Sequence, residues 1–256
     1  MSFFKRIAQL IHYYFILIFV VSWFLFCSLL GALYCIFHWK DSNIPHDLGP
    51  YYSAVTFWVT NIKLQINDPE GYLDKSRPCI FLSNHQSLFD LATICRFVPE
   101  HTVCVAKQSL RYIPLFGLLF VGAGNIHISR TNTKAAIETM NNAIKRMNVD
   151  KDSVWLFPEG SRNYDSTIPK KKMTPFKKGS FHLAVQSQRP LVPVMVSPME
   201  RIFSYSDKIW YGGTITINVL PPIMPTGLST KEDVNKLTLT TQEIMSKAYQ
   251  EFYNEE

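Results

Sequence analysis

Cys79-Ile80-Phe81-Leu82-Ser83-Asn84-His85-Gln86-Ser87-Leu88-Phe89-Asp90 passes from a short apolar run, through a polar turn, into a helical pattern. Cys79–Leu82 reads as a buried strand and Leu88–Phe97 as the helix after it. The alternation recurs along the chain. Val103–Ala106, Asn125–Ile128, Val154–Phe157, Leu191–Val196 and Thr214–Val219 have strand character, while Thr133–Met147, Gly179–Gln186 and Lys231–Phe252 have helical periodicity. Strands interleaved with helices predict an α/β fold: a mixed, largely parallel sheet flanked by helices.

Ligands of such sheets bind beyond the carboxyl ends of the strands. The unusual polar clusters fall there: Ser83-Asn84-His85, then Ser129-Arg130, then Pro158-Glu159-Gly160-Ser161-Arg162. His85 and Asp90 are five residues apart, which on one regular helix separates them by about 140°. They meet only if His85 lies in the turn and Asp90 in the first turns of the helix. A neutral imidazole so placed can take a proton from a hydroxyl as it attacks, with a carboxylate fixing its tautomer. Ser87 and Asp90 equally resemble a helix cap with its acid, which leaves His85 a structural role. Gly-x-Ser-x-Gly is absent, so no serine nucleophile is evident and the substrate is expected to supply the hydroxyl.

Ahead of this domain, Ile7 to Trp39 contains no Lys, Arg, Asp or Glu. As one helix it would be roughly 50 Å long, against about 30 Å of bilayer hydrocarbon. That length fits a retained membrane-embedded helical region better than a signal peptide. A second apolar stretch, Tyr51 to Ile62, follows Pro45, Gly49 and Pro50, which read as a turn. Either a spanning helix or a helical hairpin embedded from one side results. Lys5 and Arg6 bias the N-terminus toward the cytoplasm, and a cytoplasmic catalytic domain then favours the hairpin.

Five cysteines without a CxxC spacing exclude a disulfide framework and a zinc site, and no metal is expected. A reducing, cytoplasm-facing domain fits. The net charge is +6, and Lys170, Lys171, Lys172, Lys177 and Lys178 crowd one stretch. They form either a solvated loop or a contact for anionic headgroups or carrier phosphates. Nucleic acid is excluded as a partner, because the basic stretch lacks interleaved aromatics or a recognisable module.

Asn84-His85 through Asp90 resembles the His-x4-Asp motif of the glycerolipid acyltransferases. Phe157-Pro158-Glu159-Gly160-Ser161-Arg162 resembles that family's Phe-Pro-Glu-Gly-Thr-Arg block. Gly124-Asn125-Ile126-His127-Ile128-Ser129-Arg130 is similar to its Gly-x-x-Phe-Ile-Asp/Ser-Arg block, and Val192-Pro193-Val194 to its proline-containing block. Phe176 to Ala184 looks familiar from 1-acylglycerol-3-phosphate acyltransferases. The likeness runs over roughly residues 70 to 225 and suggests two parts, an anchor over 1–66 and an acyltransferase domain over 67–256.

The resemblance implies acyl transfer from a thioester, acyl-CoA as co-substrate with no resident cofactor, to the sn-2 hydroxyl of lysophosphatidic acid at a lipid bilayer. It implies His85 as general base and Asp90 as its partner. Glu159, Gly160 and Ser161 would position the acceptor, and Arg162, Arg130 and Lys107 its phosphate, which guanidinium forks grip bidentately. Its fuller match points to an endoplasmic-reticulum membrane with the catalytic domain facing the cytoplasm; a bacterial inner membrane fits the same pattern. His127 departs from the family's aromatic, so the acceptor wall is expected to differ. The run Tyr112 to Phe120 reads as a wall for acyl chains or as ordinary core. An acyltransferase for another lysophospholipid, a membrane-bound hydrolase and an idle lipid-binding protein are the competing readings.

Overall fold

The computed structural model describes residues 3–129, 133–162 and 172–254. The chain opens with α1 (Phe3–Tyr34) and α2 (Ile44–Val59), then β1 (Ile62–Asn67), α3 (Tyr72–Lys75), β2 (Ile80–Ser83) and α4 (Asp90–Cys95). Next come β3 (Thr102–Lys107), α5 (Phe116–Gly122), β4 (Ile126–Ile128), α6 (Thr133–Lys145), β5 (Ser153–Leu156) and α7 (Gly179–Ser187). The chain ends with β6 (Leu191–Val196), a small ribbon of β7 (Phe203–Ser204) and β8 (Ile209–Trp210), β9 (Gly213–Val219) and α8 (Lys231–Asn254).

The main sheet has the order β1-β9-β6-β2-β5-β3-β4. From β6 to β4 all neighbours are parallel; β9 runs antiparallel to β6, and β1 parallel to β9. The sheet is thus mixed and largely parallel, as the alternating pattern predicts.

Every residue of β2 and β6 is buried, the mark of strands covered on both faces. Their alternate side chains feed two cores. Ile80, Leu82, Leu191 and Met195 pack with Phe181, Met245 and Phe252 of α7 and α8. Phe81, Val192 and Val194 pack with Trp155, Phe57 of α2 and Ala92 of α4.

The two N-terminal helices form a hairpin. The Trp23 indole donates to the Tyr52 carbonyl at 3.1 Å, and Phe24 meets the Tyr52 ring. The chain reverses between residues 35 and 43. Pro45, Gly49 and Pro50, read from sequence as the turn, lie within α2 instead. Pro45 occupies its first turn, where a missing N–H costs nothing. Pro50 forfeits one internal hydrogen bond. Gly49 is where α2 crosses α4: a Cβ there would sit 2.6 Å from the Cys95 carbonyl oxygen. Tertiary packing has overridden the local turn signal.

The hairpin is also clamped to the sheet. Ser42 Oγ donates to buried Asp152 at 2.7 Å, and Arg146 Nε donates to the other oxygen of that carboxylate at 2.8 Å. Both ends of α1 touch the domain: Arg6 donates to the Asp207 carbonyl at 2.9 Å, and Lys40 N, just past the helix, bonds the Gly122 carbonyl. The boundary drawn at residue 66 falls inside β1, so the sheet begins in the segment read as anchor.

By length and composition α1 is able to cross a membrane. Most of its surface points away from the domain; Ile11, Phe15 and Ile18 are each about two-thirds exposed. The run Tyr112 to Phe120 divides in two. Phe116 and Phe120 are core, whereas Tyr112, Ile113, Leu115 and Leu118 face outward.

Candidate active site

His85 sits in the turn between β2 and α4, and Asp90 is the first residue of α4. The imidazole Nδ1 lies 2.7 Å from Asp90 Oδ2. The same oxygen accepts the backbone N–H groups of Gln86 at 2.8 Å and Ser87 at 3.0 Å. This carboxylate therefore both ties the turn and orients the ring, while α4 starts from Phe89 and not from Ser87 as its cap. Asp90 is buried, while the His85 side chain is about a quarter exposed and stacks on Phe157 with centroids 4.1 Å apart. With Nδ1 engaged, Nε2 is the nitrogen left for a substrate proton.

The turn is held from both flanks. Asn84 donates from Nδ2 to the Val196 carbonyl and accepts from Val196 N, each at 2.8 Å, extending the pattern of β6 with a side-chain amide. Gln86 donates from Nε2 to the carbonyls of Val196 at 3.1 Å and Ser197 at 3.0 Å, and its Oε1 accepts from Met199 N at 2.9 Å. No role for either amide was assigned from sequence, although both flank His85 in the motif.

Glu159 is buried in the turn after β5 and braces the opposite side. Its Oε1 accepts from His85 N at 3.1 Å; its Oε2 accepts from Thr174 N at 2.9 Å and Thr174 Oγ1 at 2.7 Å. Both oxygens are thus used by protein donors. Gly160 turns the chain with φ near +73°, a conformation that favours glycine. Ser161 is exposed and Arg162 half-buried on the same loop. Lys177 N bonds the Pro158 carbonyl at 2.8 Å, so part of the lysine-rich stretch returns to this loop.

Lys107 ends β3, exposed, at the carboxyl edge that carries His85 and Glu159. Arg130, expected beside it, lies outside the described residues, as do Lys170 and Lys171. His127, the departure from the aromatic pattern, stands on β4 in register with Ala106. Its ring meets Phe120 edge-on at 5.1 Å, and its Nε2 is buried without a hydrogen-bond partner among the described residues. Burial holds its pKa below the usual histidine value, and the Arg111 charge adds to the effect.

The family model described as Acyltransferase matches residues 63–197. The human 1-acyl-sn-glycerol-3-phosphate acyltransferase beta is 35% identical over 188 residues, covering 73% of this chain and 65% of that protein. The 1-acyl-sn-glycerol-3-phosphate acyltransferase of Haemophilus influenzae is 31% identical over 226 residues, covering 88% of this chain and 90% of its own. The crystal structure of the 1-acyl-sn-glycerophosphate (LPA) acyltransferase PlsC from Thermotoga maritima superposes with a TM-score of 0.69 at 22% identity, over 99% of this chain and 98% of that one. The matched span opens in β1 and closes one residue past β6, enclosing His85, Asp90 and Glu159; with a relative of nearly full coverage beside it, the chain belongs to the acyltransferase family.

Proposed function

We propose that the protein transfers a fatty acyl group from a thioester, acyl-CoA, to the sn-2 hydroxyl of lysophosphatidic acid, yielding phosphatidic acid. The observation that carries this reading is the 2.7 Å His85–Asp90 pair at the carboxyl edge of the parallel strands. His85 Nε2 takes the proton of the acceptor hydroxyl as its oxygen attacks the thioester carbonyl. The new ester C–O bond forms, the C–S bond breaks, and the thiolate recovers the proton from the imidazolium. Asp90 stabilises the imidazolium between these steps. The names of the relatives from human and Haemophilus support lysophosphatidic acid as acceptor. Lys107, Arg162 and Arg130 are the cations for its phosphate, and the turn over Glu159, Gly160 and Ser161 shapes the glycerol side.

The reaction takes place at a bilayer, with α1 and α2 lying in one leaflet and the sheet domain on the cytoplasmic side. Two features favour entry over crossing: both ends of α1 touch the domain, and the outward apolar side chains are unpaired with protein. The endoplasmic reticulum and a bacterial inner membrane both meet this description.

The test is an assay of purified protein in detergent, given labelled acyl-CoA with and without lysophosphatidic acid. Phosphatidic acid formed only with the acceptor is the expected result. Loss of thioester without acylated lipid identifies a hydrolase and defeats the proposal.

A further inference from the structure

Helix α8 lies beyond the span matched by the family model, yet it reaches the turn that carries His85. Tyr249 is buried on its inner face, and its hydroxyl donates to Gln86 Oε1 at 3.2 Å. That bond is the fourth on the Gln86 amide. The other three go to the backbone of Val196, Ser197 and Met199, at the end of β6 and in the loop after it; among the described residues Tyr249 is the tie from this amide to α8. The backbone N–H of Gln86 in turn donates to the Asp90 oxygen that holds His85.

The same end of α8 is fixed to the loop after β6. Arg201 donates to the Phe252 carbonyl at 2.6 Å, and Tyr253 Oη to Glu200 at 3.2 Å. Burial raises the Tyr249 pKa, with the neighbouring Tyr253 hydroxyl and the Glu200 and Glu159 charges adding to it, so the Tyr249 hydroxyl keeps its proton at any working pH, with Gln86 and Tyr253 both beside it.

We infer that Tyr249 is a positioning residue, bracing the His85–Asp90 turn through Gln86. It touches no reacting atom. Its ring fills core like any buried aromatic, and the O–H is the part that acts. Gln86 Oε1 has two lone pairs, used by Met199 N and Tyr249; without the hydroxyl one loses its protein donor in a half-buried place, and the amide loses its tie to α8.

The inference rests on the acyl-transfer reading, and the experiment separates the two. Wild type, Tyr249→Phe, Gln86→Ala and the double variant are assayed as full chains with acyl-CoA and lysophosphatidic acid. Tyr249→Phe is expected to lower kcat about fivefold with both KM values within about twofold. The double variant is expected to fall no further than Gln86→Ala alone, since both remove one link. An unchanged kcat in Tyr249→Phe, or losses that multiply in the double variant, overturns the brace while leaving acyl transfer standing.

If wild type shows no acceptor-dependent product, the acyl-transfer reading fails and a second measurement still judges the brace. The ¹⁵N resonances of the His85 ring are expected to move in Tyr249→Phe; identical resonances overturn it.

Discussion

The turn after β2 and the outer face of α1 stand in opposite relation to the rest of the chain. In the turn, Asn84 uses both amide atoms, Gln86 makes four side-chain bonds, and Asp90 Oδ2 accepts three. The protein fills most of the polar sites here itself; among the described residues Asp90 Oδ1 is buried without a partner, and His85 Nε2 is left for something else. On α1, Ile11, Phe15 and Ile18 share a helical face at spacings of four and three residues, and none of the described residues covers it. This region is finished only by an apolar environment. Chemistry is prepared by saturating polar groups within the fold; membrane attachment is prepared by leaving apolar ones unsaturated.

The largest effect expected follows from removing the basic nitrogen that the turn leaves to the substrate. His85→Ala is expected to lower kcat/KM about 10³-fold, within the usual range for losing a general base, while cosedimentation with phosphatidylcholine vesicles stays at the wild-type level. Activity within tenfold of wild type would remove His85 from the chemistry. The reverse experiment addresses α1. Ile11→Ser combined with Ile18→Ser gives up about 1–1.5 kcal/mol of apolar burial per side chain, hence a drop of about 50-fold in vesicle partitioning. Turnover on detergent-dispersed substrate is expected to stay within about twofold, because neither residue approaches the turn. Unchanged partitioning would mean that this face does not meet lipid. A single variant that lost both properties together would break the contrast between the regions.

The contrast also explains what was legible in the sequence. His85 and Asp90 could be paired in advance because a strand, a turn and a helix place them together within six consecutive residues. The long uncharged run of α1 was legible for a similar reason, since its signal is local. What stayed hidden depends on distant partners. Ile62–Asn67 alternates apolar and polar residues, but it becomes β1 only by pairing with β9, some 150 residues later; the apolar run before it masked the start. Gly49 and Pro50 carry a turn signature, and the close crossing of α2 with α4 keeps them helical. Tyr249 gives no local sign at all: its role comes from α8 folding back across β6 to meet Gln86. Glu159 was marked by its motif, yet its partners, His85 N and Thr174, are visible only once the loops after β2 and β5 are brought together.

His127 sharpens the contrast, a polar side chain on the site-bearing sheet whose Nε2 is buried without a partner among the described residues. The smallest expected effect comes from it. Its pKa in the folded protein lies below 6.5 because burial, chiefly, and the Arg111 charge disfavour the imidazolium. The unfolded chain therefore binds the extra proton first as pH falls through about 6.5. Stability is lost from there downward until the folded-state value is reached; below it both states are protonated and the slope vanishes. His127→Phe keeps an aromatic ring against Phe120 and deletes this titration. Thermal unfolding in detergent at pH 7.5, 6 and 5 is expected to show the variant gaining on wild type as pH falls, by about 1–3 °C for a partly exposed group. A Tm difference constant across that window would mean that His127 is solvated well enough to charge freely, and β4 would then carry no unsatisfied polar side chain toward the site.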